Sequence, residues 1–260
     1  MNSNLLVQRS RVRVRLKAWL PVMWAFFWVA TARAQGGPPM MTDDPGTPDR
    51  GQWEINLAWT VTRADSQLER EAPLIDINYG LRDDVELKYE IPWIVTDGTG
   101  PGPRSGAGNS LLGVKWRFID RGERSWQVSV YPQVEIHDGR SGPGVAPPGS
   151  QFILPFQLRK GFSEFALNVE IGRSWHSQEN DAWSGGVVLG RNVSEKLECM
   201  LELHGIATAG LERSAIAVNS GFRLALNEYG ALLMSVGRDV RNDVEELATV
   251  FGYAGWQLTF

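Results

Sequence analysis

Cysteine is almost absent from this sequence, and its absence excludes two kinds of site. Cys199 is the single cysteine among 260 residues. A disulfide framework within the chain needs at least two cysteines, and a cysteine-based metal centre needs several. We therefore interpret Cys199 as a small apolar strand residue, and we expect neither a metal nor another cofactor.

Basic residues are scarce beyond the amino-terminal region. The first 34 residues hold six of the 26 lysines and arginines and none of the 30 aspartates and glutamates. The remaining 20 basic and 30 acidic residues give the rest of the chain a net charge near −10. A nucleic-acid partner would require a basic patch, so none is expected.

Long hydrophobic runs are also lacking, apart from one near the start. Ala18 to Ala30 is an apolar run of about 13 residues, shorter than the ~20 that a spanning helix needs. It is followed by Ala32-Arg33-Ala34 and preceded by a cationic stretch, Arg9, Arg11, Arg13, Arg15 and Lys17. This combination is typical of a secretory signal peptide. We predict a signal peptide over residues 1–34, cleaved before Gln35.

The rest of the chain shows two-residue alternation of apolar and polar side chains. Trp53, Ile55 and Leu57, for example, alternate with Glu54 and Asn56. A period of two is the signature of strands with a different environment on each face. Twelve such segments begin near Trp53, Leu68, Val85, Asn109, Ser125, Gln151, Glu164, Trp183, Lys196, Ala215, Tyr229 and Leu247.

Three features indicate that the apolar face meets lipid and not a soluble core. The segments run about 9 to 14 residues, which suits tilted membrane strands. The polar face carries many full charges, which a dry core would not accept. Aromatic residues lie toward segment ends, as in membrane girdles: Trp53, Trp93, Trp126, Trp175, Trp183, Tyr229 and Tyr253.

The connectors alternate between short turns and longer Gly/Pro-rich loops such as residues 96–108 and 138–150. Bacterial outer-membrane barrels have this asymmetry, with turns in the periplasm and loops outside. We therefore predict an all-β fold, an antiparallel up-and-down transmembrane β-barrel of about 12 strands over residues 51–260. It is expected in the bacterial outer membrane, in contact with outer-membrane lipids.

The carboxy terminus carries a separate signal. Phe260 is the last residue of the sequence, and Leu258, Trp256 and Ala254 precede it at two-residue steps. This pattern resembles the terminal signature by which outer-membrane barrels are recognised by the barrel-assembly machinery. We predict that partner for the last strand.

Several motifs resemble a known family. The opening motif runs from Pro38 to Pro48 (PPMMTDDPGTP) and is followed by Gly51 and Trp53-Glu54-Ile55-Asn56. Further matching segments are residues 73–81 (PLIDINYGL), 86–92 (ELKYEIP), 113–118 (GVKWRF) and 131–133 (YPQ). Together they resemble the family of outer-membrane proteins named for the MetA pathway of phenol degradation. The resemblance implies an outer-membrane barrel and a transporter linked to aromatic catabolism, and it supplies no catalytic residues.

Charged residues on the polar face are the candidates for selectivity. They are Glu54, Asp76, Glu86, Lys88, Glu90, Lys115, Arg117, Glu135, Glu170, Glu198, Glu202, Arg223 and, near the last loop, Arg238. Twelve strands lie between a packed eight-stranded interior and an open sixteen-stranded pore. These charges therefore either line a water-filled path or form a paired network that fills the barrel. An open lumen with this acidic excess would disfavour anions.

The Pro-rich lead over residues 35–50 cannot form helix or strand, because its prolines remove hydrogen-bond donors and restrict the backbone. One interpretation is a plug inside the barrel, with Asp43 and Asp44 reaching Lys88, Lys115 or Arg117. The other is a periplasmic extension that packs beneath the barrel.

Two enzyme-like groupings have simpler explanations. Ser174 and His176 share a face, but that face continues the luminal row and not the lipid side. Glu202 and His204, with Glu198 or His137, show the spacing that any polar strand face offers. We therefore expect no enzyme. The favoured function is a passive channel or transporter for small molecules, with aromatic or hydrophobic compounds as candidates. The alternatives are a non-conducting structural or loop-binding barrel and, less favoured, a membrane hydrolase.

Overall fold

The computed structural model describes residues 37–64, 67–97, 102–122, 124–137, 139, 145–162, 165–243 and 250–260. The predicted signal peptide, residues 1–34, lies outside the described residues. No helix in the described ranges is long and apolar enough to cross a membrane.

The described chain folds into β-strands that follow one another around a single sheet. Their bounds are β1 Trp53–Ala64, β2 Gln67–Arg82, β3 Val85–Asp97, β4 Arg104–Ala107, β5 Ser110–Asp120, β6 Trp126–Val130, β7 Gln133–Ile136, β8 Gln151–Gly161, β9 Phe165–His176, β10 Ala182–Asn192, β11 Leu197–Thr208, β12 Ser214–Asn227, β13 Gly230–Asn242 and β14 Val250–Thr259.

Two of the spanning strands are interrupted once each. β4 and β5 both pair with β3, and they are separated only by Gly108 and Asn109. β6 and β7 both pair with β5 and β8 on either side of Tyr131 and Pro132. Proline lacks the amide hydrogen that a strand ladder needs, which accounts for the second break. Counting each interrupted pair once gives the twelve spanning strands that the alternation predicts.

The sheet closes through antiparallel pairing of the first and last strands. Glu54 to Arg63 of β1 pair with Thr259 to Val250 of β14. Trp53 and Phe260 complete the seam, since each backbone amide donates to the other residue's carbonyl at 2.8 and 3.0 Å. Closure satisfies the backbone groups that a free edge would leave exposed. The predicted all-β, twelve-stranded antiparallel barrel is confirmed.

The two faces of the barrel differ in the way that membrane barrels require. Large apolar side chains are exposed on the outside, including Trp59, Ile171 and Val236, while polar side chains such as Asn56 and Gln157 are buried inside. An apolar band facing outward and a polar lumen match a lipid-facing barrel and oppose a soluble sandwich.

Two face assignments from the sequence are wrong. Tyr253 shares the inner face of β14 with Gly255 and Gln257, because it is an odd number of steps from the exposed Trp256. It therefore belongs to the lumen and not to the aromatic girdle. Arg238 is exposed on β13 in register with the outward-facing Val218, so it lies outside the lumen. It is near the end of its strand, where a long cationic side chain reaches water beyond the apolar band.

The barrel has a turn end and a loop end. The turn end carries both ends of the sheet, at Trp53 and Phe260, and there the chain passes from β2 to β3, β5 to β6, β8 to β9, β10 to β11 and β12 to β13. At the loop end it passes from β1 to β2, β3 to β4, β7 to β8, β9 to β10, β11 to β12 and β13 to β14. In outer-membrane barrels the short turns face the periplasm.

Candidate functional site in the barrel lumen

The charged residues predicted to line the lumen lie on the inner face, apart from Arg238. Among them Asp76, Glu86, Lys115, Glu198 and Glu202 are each less than 5% exposed. A charge this deeply buried requires a partner or several hydrogen bonds. The partners of these buried charges therefore determine whether the charges can act on a solute in the lumen.

One ion-pair network joins β2 and β3. Lys88 Nζ lies 2.9 Å from Asp76 Oδ1 and 2.9 Å from Glu90 Oε2. Asp76 also accepts hydrogen bonds from the side-chain amides of Asn56, at 3.1 Å, and Asn78, at 3.2 Å. One ammonium is thus shared by two carboxylates, so this part of the wall is a paired network with a residual negative charge.

Other predicted luminal residues are paired nearer the two ends. Glu135 accepts from Asn109 at 2.7 Å and from Gln151 at 2.6 Å toward the loop end. Arg117 pairs with Asp120 at 3.2 Å at the turn end. The remaining contacts are Glu54 accepting from Asn56 at 3.4 Å and Glu170 accepting from Gln157 at 2.8 Å.

The described part of the lead segment, residues 37–50, lies inside the barrel. It begins with a tight turn, in which the amide of Met40 donates to Gly37 O and the amide of Gly37 donates to Thr42 O. It leaves the lumen at the turn end, where the amide of Gly51 donates to Gly80 O at 2.7 Å. The chain then enters β1, so the segment folds back into the barrel that it precedes.

Glu202 of β11 holds the tip of the lead segment. Its carboxylate accepts from the backbone amides of Met41, at 3.1 Å, and Thr42, at 2.6 Å. The side-chain amide of Asn219 donates to the same carboxylate at 2.9 Å. Three N–H donors stabilise the buried negative charge without a cation, in the manner of an anion-binding nest.

Lys115 of β5 holds the descending part of the lead segment. Its ammonium lies 2.8 Å from Asp43 Oδ2, donates to Gly46 O at 3.2 Å and lies 3.9 Å from Glu86 Oε2. Burial alone would raise the pKa of Asp43, but the charge and hydrogen bond of Lys115, together with the charge of Lys88 and the amide of Asp44, hold that pKa below its ordinary value. Asp43 is therefore a firmly ionised partner of Lys115.

Asp44, the second predicted plug residue, is buried and shapes the backbone of the lead segment. Its Oδ1 accepts from the amide of Gly46 at 2.7 Å, which fixes a local turn. Lys88 and Arg117, the other two cations predicted as partners of Asp43 and Asp44, pair with the barrel residues described above.

Further contacts come from the opposite wall. Arg223 donates to Pro38 O at 3.1 Å and Ser235 donates to Pro39 O at 2.8 Å. Arg223 also lies 3.6 Å from Glu198. Met40 packs against Val188 and Met200 in a small apolar cluster within the lumen. The segment is thus held by carboxylate, ammonium, guanidinium and apolar contacts around the whole circumference.

Two glycines of the wall make room for the lead segment. A Cβ atom at Gly186 would overlap the side chain of Thr42, and one at Gly80 would overlap the backbone of Pro48 and Asp49. With Thr42 in place, a larger residue at Gly186 would push the segment away, and so would a larger residue at Gly80. The interior is therefore shaped to the lead segment, not merely wide enough for it.

The lead segment separates two cavities. The turn-end cavity has a volume of about 560 Å³ and is lined by Asp43, Lys115 and Arg223 among many charged groups. The loop-end cavity has a volume of about 280 Å³ and is bounded on one side by Pro39, Met40 and Met41. A solute crossing the barrel along its axis would meet the lead segment between them.

The enzyme-like groupings lie on the inner face. His176 Nε2 is 3.1 Å from Ser174 Oγ, and His176 Nδ1 is 4.0 Å from Glu179. The pair is at the loop end of β9 and faces the lumen, which keeps it from lipid. Glu202 and His204 are both inside, but Glu202 is bound to the lead segment. The described residues contain no group of three or more His, Cys, Asp or Glu placed to hold a metal.

Sequence reasoning missed several residues that hold the lead segment. Asn219 and Ser235 are uncharged and lie in rows of inward-facing residues, so parity alone could have identified them. Tyr131 follows the same parity as Gln127 and Ser129, and it donates to Glu86 at 3.0 Å. No signal in the sequence pointed to Met40, because an apolar side chain is unexpected in a polar lumen.

The fold is similar to solved outer-membrane structures. The COG4313 outer membrane channel from Pseudomonas putida F1 matches with a TM-score of 0.72 and 10% identity, over 87% of this chain and 100% of that chain. The KdgM porin in complex with disordered oligogalacturonate matches with a TM-score of 0.58 and 8% identity, over 80% and 99%. The CymD monoaromatic hydrocarbon channel matches with a TM-score of 0.50 and 8% identity, over 81% and 89%.

Identities this low show a shared fold. No protein-family model matches the sequence, and no curated protein matches it either. The resemblance to the MetA-pathway family therefore stays a prediction, and what these comparisons show is a barrel fold shared with outer-membrane channels and porins.

Proposed function

We propose that the protein is an outer-membrane passive channel for small molecules whose lead segment keeps the lumen closed at rest. The observation that carries the proposal is the position of that segment between two cavities. Charged and polar side chains of the barrel contact the segment, and two glycines of the wall make room for it. Proteins of the same fold that are named channels and porins support a conducting role.

The contacts of the lead segment are numerous but non-covalent. Once the predicted signal peptide is removed, the segment is tethered to the barrel only through Gly51. The turn-end cavity beside it offers space of about 560 Å³, so displacement toward the turn end would open a path without unfolding the barrel. Such an opening is a shift between two states of one segment.

We propose small neutral or cationic molecules as the solutes, with aromatic or hydrophobic compounds as candidates. The excess of luminal carboxylates disfavours anions, and the loop-end cavity is bounded on one side by Pro39, Met40 and Met41 of the lead segment. The name of the CymD channel refers to monoaromatic hydrocarbons, which is consistent with this class but belongs to that protein.

Swelling of proteoliposomes tests the proposal. Deleting residues 35–50 should raise the influx of a neutral sugar such as arabinose about tenfold or more over the intact chain. Thr47→Ala is the control, because it removes only an exposed hydrogen bond of the same segment, 3.1 Å long, to Asp83 O, and it should behave as the intact chain.

The paired interior supports one alternative, a non-conducting structural or interaction barrel. Folding of every variant is checked by its faster gel migration before boiling than after. A folded deletion variant that admits no more solute than empty liposomes would exclude the channel and favour this alternative.

A further inference from the structure

The loop-end cavity has the composition of a small-molecule site. Its volume is about 280 Å³, close to the lower end of ligand pockets. Pro39, Met40 and Met41 of the lead segment form its floor. Ala215 and Ala217 on β12 lie at its wall and are both buried, so their small side chains leave the space that larger residues would fill.

Two aromatic rings line this cavity from β14. The ring of Phe251 lies over Gly237 of the neighbouring strand, where a Cβ would overlap it. The ring of Tyr253 lies over Gly255, where a Cβ would be 2.6 Å from Tyr253 Cε1. Both rings thus lie along the wall and line the cavity, where a flat apolar ring can pack against them.

The charges around the loop-end cavity are of one sign. Glu71 and Asp239 line it, the described lining residues include neither lysine nor arginine, and His204 is the one ionisable base among them. The turn-end cavity differs, since Lys88, Lys115 and Arg223 line it. Carboxylates beside aromatic faces stabilise a cation and oppose an anion. Thr60 already donates to Glu71 at 2.7 Å, which leaves the second carboxylate oxygen available for a ligand.

We propose that the loop-end cavity is a binding site for a small compound with one aromatic ring and a positively charged or hydrogen-bond-donating group. Its ring packs among Phe251, Tyr253 and Met40, and its polar group is received by Glu71. The site lies on the outer side of the lead segment, so its place on an uptake path rests on the proposed channel function. Its binding chemistry does not.

Three probes of equal ring and chain size test the charge preference. Binding of 2-phenylethylamine, 2-phenylethanol and phenylacetate to the detergent-solubilised full chain is measured by isothermal titration calorimetry. The expected order of affinity is the amine, then the alcohol, with phenylacetate about tenfold or more weaker than the amine. Phenylacetate binding as tightly as the amine would overturn the proposal.

Two variants locate the site. Glu71→Gln should weaken the amine about tenfold and change the alcohol little, because the charge is lost and the hydrogen-bonding shape is kept. Glu69→Gln is the matched control on the same strand, and it should weaken the amine far less than Glu71→Gln does, since Glu69 is exposed and outside the lining. Equal losses in Glu71→Gln and Glu69→Gln would contradict the assignment.

Ala217→Leu should abolish binding of both the amine and the alcohol by filling the cavity. If that variant does not fold, the Glu71→Gln comparison still decides. These measurements need no transport. Binding as expected without solute influx would support the site and exclude the channel function. Influx without binding of any probe would exclude the site alone.

Discussion

Asp43 and Lys115 form an ion pair that joins the lead segment to the barrel wall, and the burial of the pair determines how it responds to pH. The side chain of Lys115 is 4% exposed and that of Asp43 is 29% exposed. The pKa of Asp43 is held below its ordinary value of 3.8 by Lys115, against the opposing effect of burial. A carboxyl whose pKa is lowered on folding contributes stability above its ordinary pKa and loses it as the pH falls through the lowered value.

This linkage predicts an acid-induced opening. Above about pH 4, this pair should cause no change in solute influx through the intact chain. Below about pH 4, Asp43 takes up a proton and influx should rise. Influx into proteoliposomes between pH 3 and pH 7 measures it.

Asp43→Asn removes the charge at every pH. It should therefore raise the resting influx and abolish its acid dependence. Leaving Lys115 without its closest carboxylate costs ~3 kcal/mol, equivalent to about a hundredfold in the closed-to-open ratio. An Asp43→Asn variant that keeps the parental acid response would assign the response to another group.

At the scale of elements, β11 shows why alternation is informative. Leu201 is 43% exposed on the outside and its neighbour Glu202 is 4% exposed inside, bound to the lead segment. One residue step turns the side chain to the opposite face. The two positions therefore have opposite sensitivities.

Leu201→Arg should destabilise the barrel by ~2–4 kcal/mol, because it places a cation deep in the lipid-facing band. Glu202→Gln should leave the free energy of unfolding almost unchanged while raising influx, because only the anchor of the lead segment is weakened. Urea unfolding in lipid vesicles measures the first effect. Equal destabilisation by both changes would mean that this strand is not a wall between lipid and lumen.

Much of the barrel could be predicted from the sequence because strand parity is a local property. The alternation locates the twelve strands and the inward charges, since neighbouring side chains must face opposite environments. Parity also places Tyr253 on the inner face, against the girdle pattern, and Arg238 on the outer face, although it is charged. The break at residues 131–132 follows from Pro132, which lacks an amide hydrogen, whereas the break at residues 108–109 depends on register with β3.

The path of the lead segment could not be predicted from local patterns. Proline content excluded helix and strand, but it left both a plug and a periplasmic extension open. The decisive contact joins Thr42 to Glu202, 160 residues apart. Nothing near Thr42 in the sequence specifies that partner. The role of Phe260 in assembly likewise stays a prediction, although the structure pairs its backbone with Trp53 at the seam.

At the scale of the whole molecule, we propose that the lead segment must move for the channel to open. The closed sheet of twelve strands has no free edge at which it could open, and charges of its wall are paired with one another. The segment between the two cavities is therefore the movable part. A deletion tests this only by removing the segment. A reversible cross-link tests the movement itself.

Thr42 and Gly186 are suited to such a cross-link. A Cβ at Gly186 would lie 3.0 Å from Thr42 Cβ, and disulfides span Cβ separations of ~3.5–4.5 Å, so only a small shift is needed. Thr42 Oγ1 has no hydrogen-bond partner among the described residues, so replacing it costs little. Cys199 is free on the barrel and is changed to serine in the parent.

The most direct measurement is single-channel conductance in planar bilayers of the Thr42→Cys, Gly186→Cys variant in that parent, oxidised and then reduced. We predict no openings while the disulfide is intact. After dithiothreitol, openings should return, at the frequency measured for the reduced Thr42→Cys control. Openings of unchanged frequency and size with the cross-link intact would show that solutes do not pass through the place where the lead segment lies, and they would contradict the account.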